Sequence, residues 1–88
     1  MNILFSGESW PEYLYFQKYE PKLSERIQSL IEDCRRHPFK GTGKPEPLRG
    51  QLKGWWSRRI TQEHRLVYRV RGEGDAQVLE IAQCRYHY

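Results

Sequence analysis

Cysteine is scarce in this 88-residue chain: there are two, Cys34 and Cys84. A disulfide-stapled secreted domain usually carries more, at tighter spacing, so both are expected to be reduced and buried in a cytoplasmic protein. No C-x-x-C or H-x-x-x-H spacing supports a metal site, and no metal or other cofactor is expected. No apolar run approaches the roughly 20 residues needed to span a bilayer. The opening MNILFSGESW lacks the basic n-region of a signal peptide. Neither an internal repeat nor a low-complexity stretch is present. Acid is missing from the middle of the chain: from Arg35 to Arg71 there are eleven Lys and Arg residues, and the only carboxylates are Glu46 and Glu63.

What is present is an aromatic-rich, basic sequence. Aromatics make up 14% of residues, and each buries a large area, so a chain of this length is expected to fold as one domain, residues 1–88. The formal net charge of +4 is unevenly spread. Both flanks of the basic stretch carry net negative charge, so the basicity lies in a folded segment and not in a tail. A basic stretch of that kind suits a polyanionic partner, with Arg making bidentate phosphate contacts and aromatics stacking on bases. The blander reading is a solvated surface.

NILF (Asn2–Phe5) reads as a first strand. SGESWPEYLYFQKY reads as a helix capped by Ser6 or Ser9, with Pro11 in its first turn and Trp10, Tyr13, Leu14 and Gln17 on one face. Pro21 opens a second helix, whose Leu23, Ile27, Leu30, Ile31 and Cys34 repeat at helical spacing; Pro38 ends it. Residues 39–54, with four glycines and two prolines, read as a loop in which the prolines flanking Glu46 restrict the backbone. Three strand-like segments follow: WWSRRI, RLVYRV and QVLEIAQCRYHY, the last running to the C-terminus. Strand, helix, helix, loop and three or more strands predict an α+β fold, with two helices packed on a twisted antiparallel sheet.

Nucleic-acid cleavage needs few parts when the substrate is RNA, because RNA carries its own nucleophile, the 2′-OH. The protein supplies a base, an acid for the leaving 5′-oxygen, and cations for the charged phosphate. The candidates here are Glu46 and Glu63; His37, His64 and His87; and Arg58, Arg59, Arg65 and Arg69. Composition alone does not choose among them.

GKPEPL (Gly43–Leu48), SRRIT-EHRLVY (Ser57–Tyr68, with Gln62 at the gap), the terminal CRYHY and the ESW–YLY of the first helix together resemble the YoeB toxins of the RelE superfamily. The resemblance spans nearly the whole chain at matched order and length. It implies a microbial-ribonuclease-like fold and cleavage of mRNA in the ribosomal A site. It further implies neutralisation by a YefM/Phd-type antitoxin, repression of the operon by the complex through operator DNA, and self-association into a homodimer. By this resemblance Glu46 is the general base, Arg65 stabilises the transition-state phosphate, His87 is the general acid and Tyr88 supports it. Arg59 and Glu63 fall in a matched segment as supporting residues, and Lys44, Arg49, Lys53 and Arg58 are expected to contact mRNA or ribosomal RNA. Position 49 is Arg where relatives often carry Lys, which keeps the charge. The turn RGEGDAQ is longer than in some relatives. Two other readings stand beside this one: a non-catalytic RNA- or ribosome-binding translation blocker, which uses the same basic stretch, and a ParE-like gyrase poison on a related fold, whose relatives lack the Glu–Arg–His–Tyr set.

Overall fold

The computed structural model describes residues 1–86; His87 and Tyr88 lie outside the described residues. The elements run β1 (Asn2–Phe5), α1 (Ser9–Tyr19), α2 (Pro21–Arg36), β2 (Glu46–Pro47), β3 (Trp56–Arg59), β4 (Arg65–Arg71) and β5 (Val78–Gln83). The sheet order is β1-β5-β4-β3-β2. The α+β expectation holds, with one correction: the sheet is mixed. β2 to β5 form an antiparallel meander, whereas β1 lies parallel to β5. Hydrophobic pattern finds strands but not their direction. Direction follows from the connection, and a parallel neighbour is available to β1 only because the rest of the chain serves as the crossover.

Local chemistry sets the helix boundaries. Ser6 and Ser9 exchange hydrogen bonds: the Ser9 amide donates to Ser6 Oγ (2.9 Å) and the Ser6 amide to Ser9 Oγ (2.8 Å). This reciprocal pair satisfies amides at the start of α1 that have no partner within the helix. Ser9 Oγ also donates to the carbonyl of Ile81 (2.7 Å), which pins the helix start to β5. The buried face of α1 is Ser9, Tyr13 and Phe16; Trp10 and Leu14 are exposed. One residue, Glu20, separates the helices, and Gln28 Nε2 reaches back to the Tyr13 hydroxyl (2.7 Å). In α2 the buried stripe is Ile27, Leu30, Ile31 and Cys34, with Ser24 one turn before it. Both helices cover the sheet face that presents Leu66, Tyr68, Leu79 and Ile81, and these side chains form the core.

The last strand is shorter than expected and ends at Gln83. Its register against β4 shifts between Val67 and Tyr68: Tyr68 faces Ile81, while Val67 faces Gln83. Ala82 is the extra residue of a β-bulge. The bulge resolves a conflict in the sequence pattern. Leu79 and Ile81 share one parity and Cys84 has the other, yet all three are buried, because the bulge turns the strand between them. Beyond it the Cys84 amide donates to Glu12 Oε1 (2.9 Å), and Tyr86 takes a left-handed conformation at φ 62°. Arg85 and Tyr86 therefore form a bend, and Tyr86 is half-exposed.

Candidate functional site

Cross-strand partners point to the same side of a sheet, and so do residues two apart in one strand. Glu46 faces Ser57, Ser57 faces Val67, and Val67 faces Gln83. Arg59 faces Arg65 one step along. All six therefore lie on the face opposite the helices. With strands ~4.8 Å apart and ~3.3 Å per residue, Glu46 and Arg65 are roughly 12 Å apart at Cα, which long side chains and a bound phosphodiester can bridge. Glu46 is exposed on the edge strand and shares a depression with Pro47, Leu48 and Arg49. Ser57 and Val67 form a buried floor between the carboxylate and the arginines. Further along the same face, Arg69 lies over the Trp55 ring (4.3 Å to the centroid) and pairs with Glu80, as does Arg71, so the positive charge at this end of the face is partly offset.

Arg65 is fixed by the turn that precedes it. The Thr61 hydroxyl accepts from the amides of Glu63 and His64 (both 3.1 Å) and closes the turn. Arg65 Nη1 then donates to the carbonyls of Thr61 (2.6 Å), Gln62 (3.1 Å) and His64 (3.1 Å). A guanidinium tied at one nitrogen has its plane set before any phosphate arrives. The Arg65 amide donates to the Tyr86 carbonyl (3.1 Å), so the C-terminal tip is seated beside it. His87 and Tyr88 lie outside the described residues, but the chain reaches Arg65 one residue before His87.

Arg58 is the correction among the site residues. The resemblance put it among the RNA contacts; it is instead wholly buried. Nε donates to the Tyr68 hydroxyl (3.1 Å), Nη1 to Asp33 Oδ2 and the Thr42 carbonyl (3.0 Å), and Nη2 to the carbonyls of His37 and Lys40 (2.8 Å). All five N–H donors of the guanidinium are thus used. The Tyr68 hydroxyl passes the chain of bonds on to the Pro38 carbonyl (2.6 Å). This network fastens the loop after α2, whose Gly43 carbonyl accepts the Arg59 amide (2.7 Å) just before Lys44 and Glu46. Any side chain at Gly41, which has φ 110°, would collide with the Asp33 carboxylate. The hydrogen bond from Arg58, helped by the Thr42 amide, holds the Asp33 carboxyl below its usual 3.8. Burial pushes the Tyr68 hydroxyl up to about 12, Cys34 to about 11 and Cys84 to about 12, so both thiols are chemically quiet. The parity of Trp56, Arg58 and Ile60 was the available signal that Arg58 points inward.

The remaining candidates are spread around the rim. Lys44 (φ 53°) and Lys53 are exposed in the loops flanking β2, and Arg49 lies beside Glu46. Arg59 is exposed on the open face. Glu63 is in the β3–β4 turn, in a cleft shared with Glu20 and Leu23 on the helix side. The structure thus brings Glu46, Arg59 and Arg65 to one face, leaves Arg49 beside Glu46 at the sheet edge, and sets Glu63 apart from them. Among the described residues no three His, Cys, Asp or Glu side chains gather to hold a metal ion, and no helix is long and apolar enough to cross a membrane.

Two helices on a mixed five-strand sheet, with a basic open face carrying the exposed carboxylate of Glu46 and with the Tyr86 carbonyl bonded to the Arg65 amide, define a class of small α+β toxin folds. The comparisons with known proteins agree: residues 5–88 match the family described as YoeB-like toxin of bacterial type II toxin-antitoxin system. The chain belongs to this family, and is a YoeB toxin of a type II toxin–antitoxin system. It is 53% identical to Toxin YoeB of Escherichia coli K12 over 88 residues, covering all of both chains. A solved YoeB/ParE toxin from Agrobacterium tumefaciens superposes with a TM-score of 0.96 at 50% identity, again over all of both chains. YoeB in the YoeB–YefM complex from Staphylococcus aureus superposes at 0.87 with 43% identity, covering 100% of this chain and 98% of that one.

Proposed function

We propose that this toxin is a ribosome-dependent endoribonuclease that cuts mRNA in the A site by acid–base chemistry and so inhibits translation in the cytoplasm. The observation that carries the reading is the shared face: Glu46, Arg59 and Arg65 lie on one open side of the sheet, with the C-terminal tip hydrogen-bonded to the Arg65 amide. Glu46 takes the 2′-OH proton as the 2′-oxygen bonds to the adjacent phosphorus. Arg65, with Arg59 beside it, stabilises the added charge on the phosphoryl oxygens. The bond to the 5′-oxygen breaks as His87 supplies its proton, with Tyr88 supporting His87. The products are a 2′,3′-cyclic phosphate, or the 3′-phosphate after hydrolysis, and a 5′-OH. Because Glu46 is solvent-exposed, it acts chiefly through position, with the ribosome and the contacts of Lys44, Arg49 and Lys53 supplying the orientation.

A YefM-type antitoxin neutralises the toxin and joins it in repressing the operon, and the free toxin pairs as a homodimer. The Staphylococcus aureus relative was solved both with YefM and as a dimer, which supports both assignments. The test is a reconstituted translation reaction. Wild-type protein should yield mRNA fragments with the stated ends, and Glu46→Gln should slow cleavage by about 10²–10⁴-fold, the usual worth of a general base. Full-rate cleavage by Glu46→Gln would remove Glu46 from the mechanism.

A further inference from the structure

One histidine is absorbed neither by the fold's apolar logic nor by the proposed chemistry. His64 is 7% exposed, at the end of the β3–β4 turn, edge-on to Phe16 (5.0 Å between centroids). Its Nδ1 accepts a hydrogen bond from the Tyr86 amide (2.7 Å). Only an imidazole with Nδ1 unprotonated can accept, so the bond selects the tautomer carrying its proton on Nε2. The next residue along, Arg65, donates its own amide to the Tyr86 carbonyl (3.1 Å). Both backbone groups of Tyr86 are therefore taken by two consecutive residues, His64 and Arg65.

Strain at the same spot gives these bonds a purpose. Tyr86 has φ 62°, a region that costs a non-glycine residue about 1–2 kcal/mol and persists where surrounding contacts over-determine it. Further contacts support the turn. Gln83 Nε2 donates to the carbonyls of Arg85 (3.0 Å) and Tyr86 (3.3 Å). The Arg85 guanidinium lies over the Tyr15 ring at 3.7 Å. The bulge at Ala82 is what brings Gln83 into line with Val67 for this task.

We propose that His64 is a positioning residue: by holding the Tyr86 amide it fixes, next to Arg65, the backbone that immediately precedes His87 in sequence. A residue that activates nothing itself thus sets the position of the Tyr86 backbone relative to the phosphate-stabilising arginine. This rests on the proposed endonuclease reading, and the test keeps the two apart. Asn places a carbonyl oxygen near the position of Nδ1, whereas Leu fills similar volume with no acceptor. Single-turnover cleavage on programmed ribosomes is compared for wild type, His64→Asn and His64→Leu, together with half-saturating toxin concentration and thermal midpoint.

The clamp predicts that His64→Leu loses about 10²-fold in maximal rate, as misplacement by ~1 Å can cost, with half-saturation changed less than threefold; His64→Asn should return most of the rate. Equal rates for Leu and Asn, or a loss carried by half-saturation alone, would overturn the clamp. Should His64→Leu fail to fold, amide exchange of wild-type Tyr86 decides: protection comparable to the β4 amides supports the clamp, and exchange at the rate of an open amide overturns it. If wild-type protein cleaves no mRNA, the endonuclease reading fails, and the Tyr86 exchange measurement still decides the clamp.

Discussion

Replacing Arg58 by Met removes a charge that the fold has fully enclosed. Five donors are withdrawn at once: from Asp33, from the Tyr68 hydroxyl, and from the carbonyls of His37, Lys40 and Thr42. Breaking a buried charge pair from one side typically costs about 3–5 kcal/mol. The side chain of Asp33 keeps 26% exposure, so the stranded carboxylate can recover some hydration, which places the loss near the lower end, about 3 kcal/mol. A chain of this size is stable by only about 4–13 kcal/mol, so the variant should be visibly marginal. Urea unfolding is the assay; at a slope of about 1.5 kcal/mol/M the midpoint should fall by about 2 M. Asp33→Asn combined with Arg58→Met should cost clearly less than the sum of the single changes, because the two residues share one interaction. Amides of residues 37–43 should exchange faster in the Arg58 variant. A midpoint within about 0.5 M of wild type, or strictly additive changes, would refute the reading of Arg58 as the anchor of this loop.

Further expectations follow from the same chemistry. The Asp33 carboxyl is held below its usual 3.8, so its stabilising effect is complete above that pH and is lost as acidification passes through the folded value. Urea midpoints measured from pH 5 to pH 2 should show a steeper acid loss in wild type than in Asp33→Asn. Cys34 and Cys84, pushed up by burial to about 11 and about 12, should resist a thiol reagent at pH 8 in the native protein and both react once unfolded. Removing His87 and Tyr88 should abolish growth arrest by the toxin and leave unfolding free energy within about 1 kcal/mol of wild type.

Much of the fold was legible because its periodicities are clean. The α2 stripe of Ile27, Leu30, Ile31 and Cys34 and the inward row of Leu66 and Tyr68 are where pattern alone puts them. Strand direction was not legible, since the pattern of NILF is the same for either neighbour. The end of β5 was hidden by the bulge, which buries Cys84 against strict alternation. The candidate face was reached through the motif resemblance, and the register then put Glu46, Arg59 and Arg65 on one side. Arg58 was misassigned because a charged strand residue in a basic stretch looks like a phosphate ligand; its partners Asp33, Thr42 and Tyr68 are far away in sequence and invisible to local reading. His64 stood among the candidate histidines but received no role for the same reason, as its partner is 22 residues away.

The central claim is that the open face cuts RNA and does not merely bind it. Mapping mRNA 3′ ends on translating ribosomes tests this most directly. Wild-type toxin should give ends clustered within the A-site codon, and these should vanish with Glu46→Gln and with Arg65→Ala while antitoxin binding persists. Arrested ribosomes carrying only full-length mRNA would contradict the account and make this face a binding surface alone.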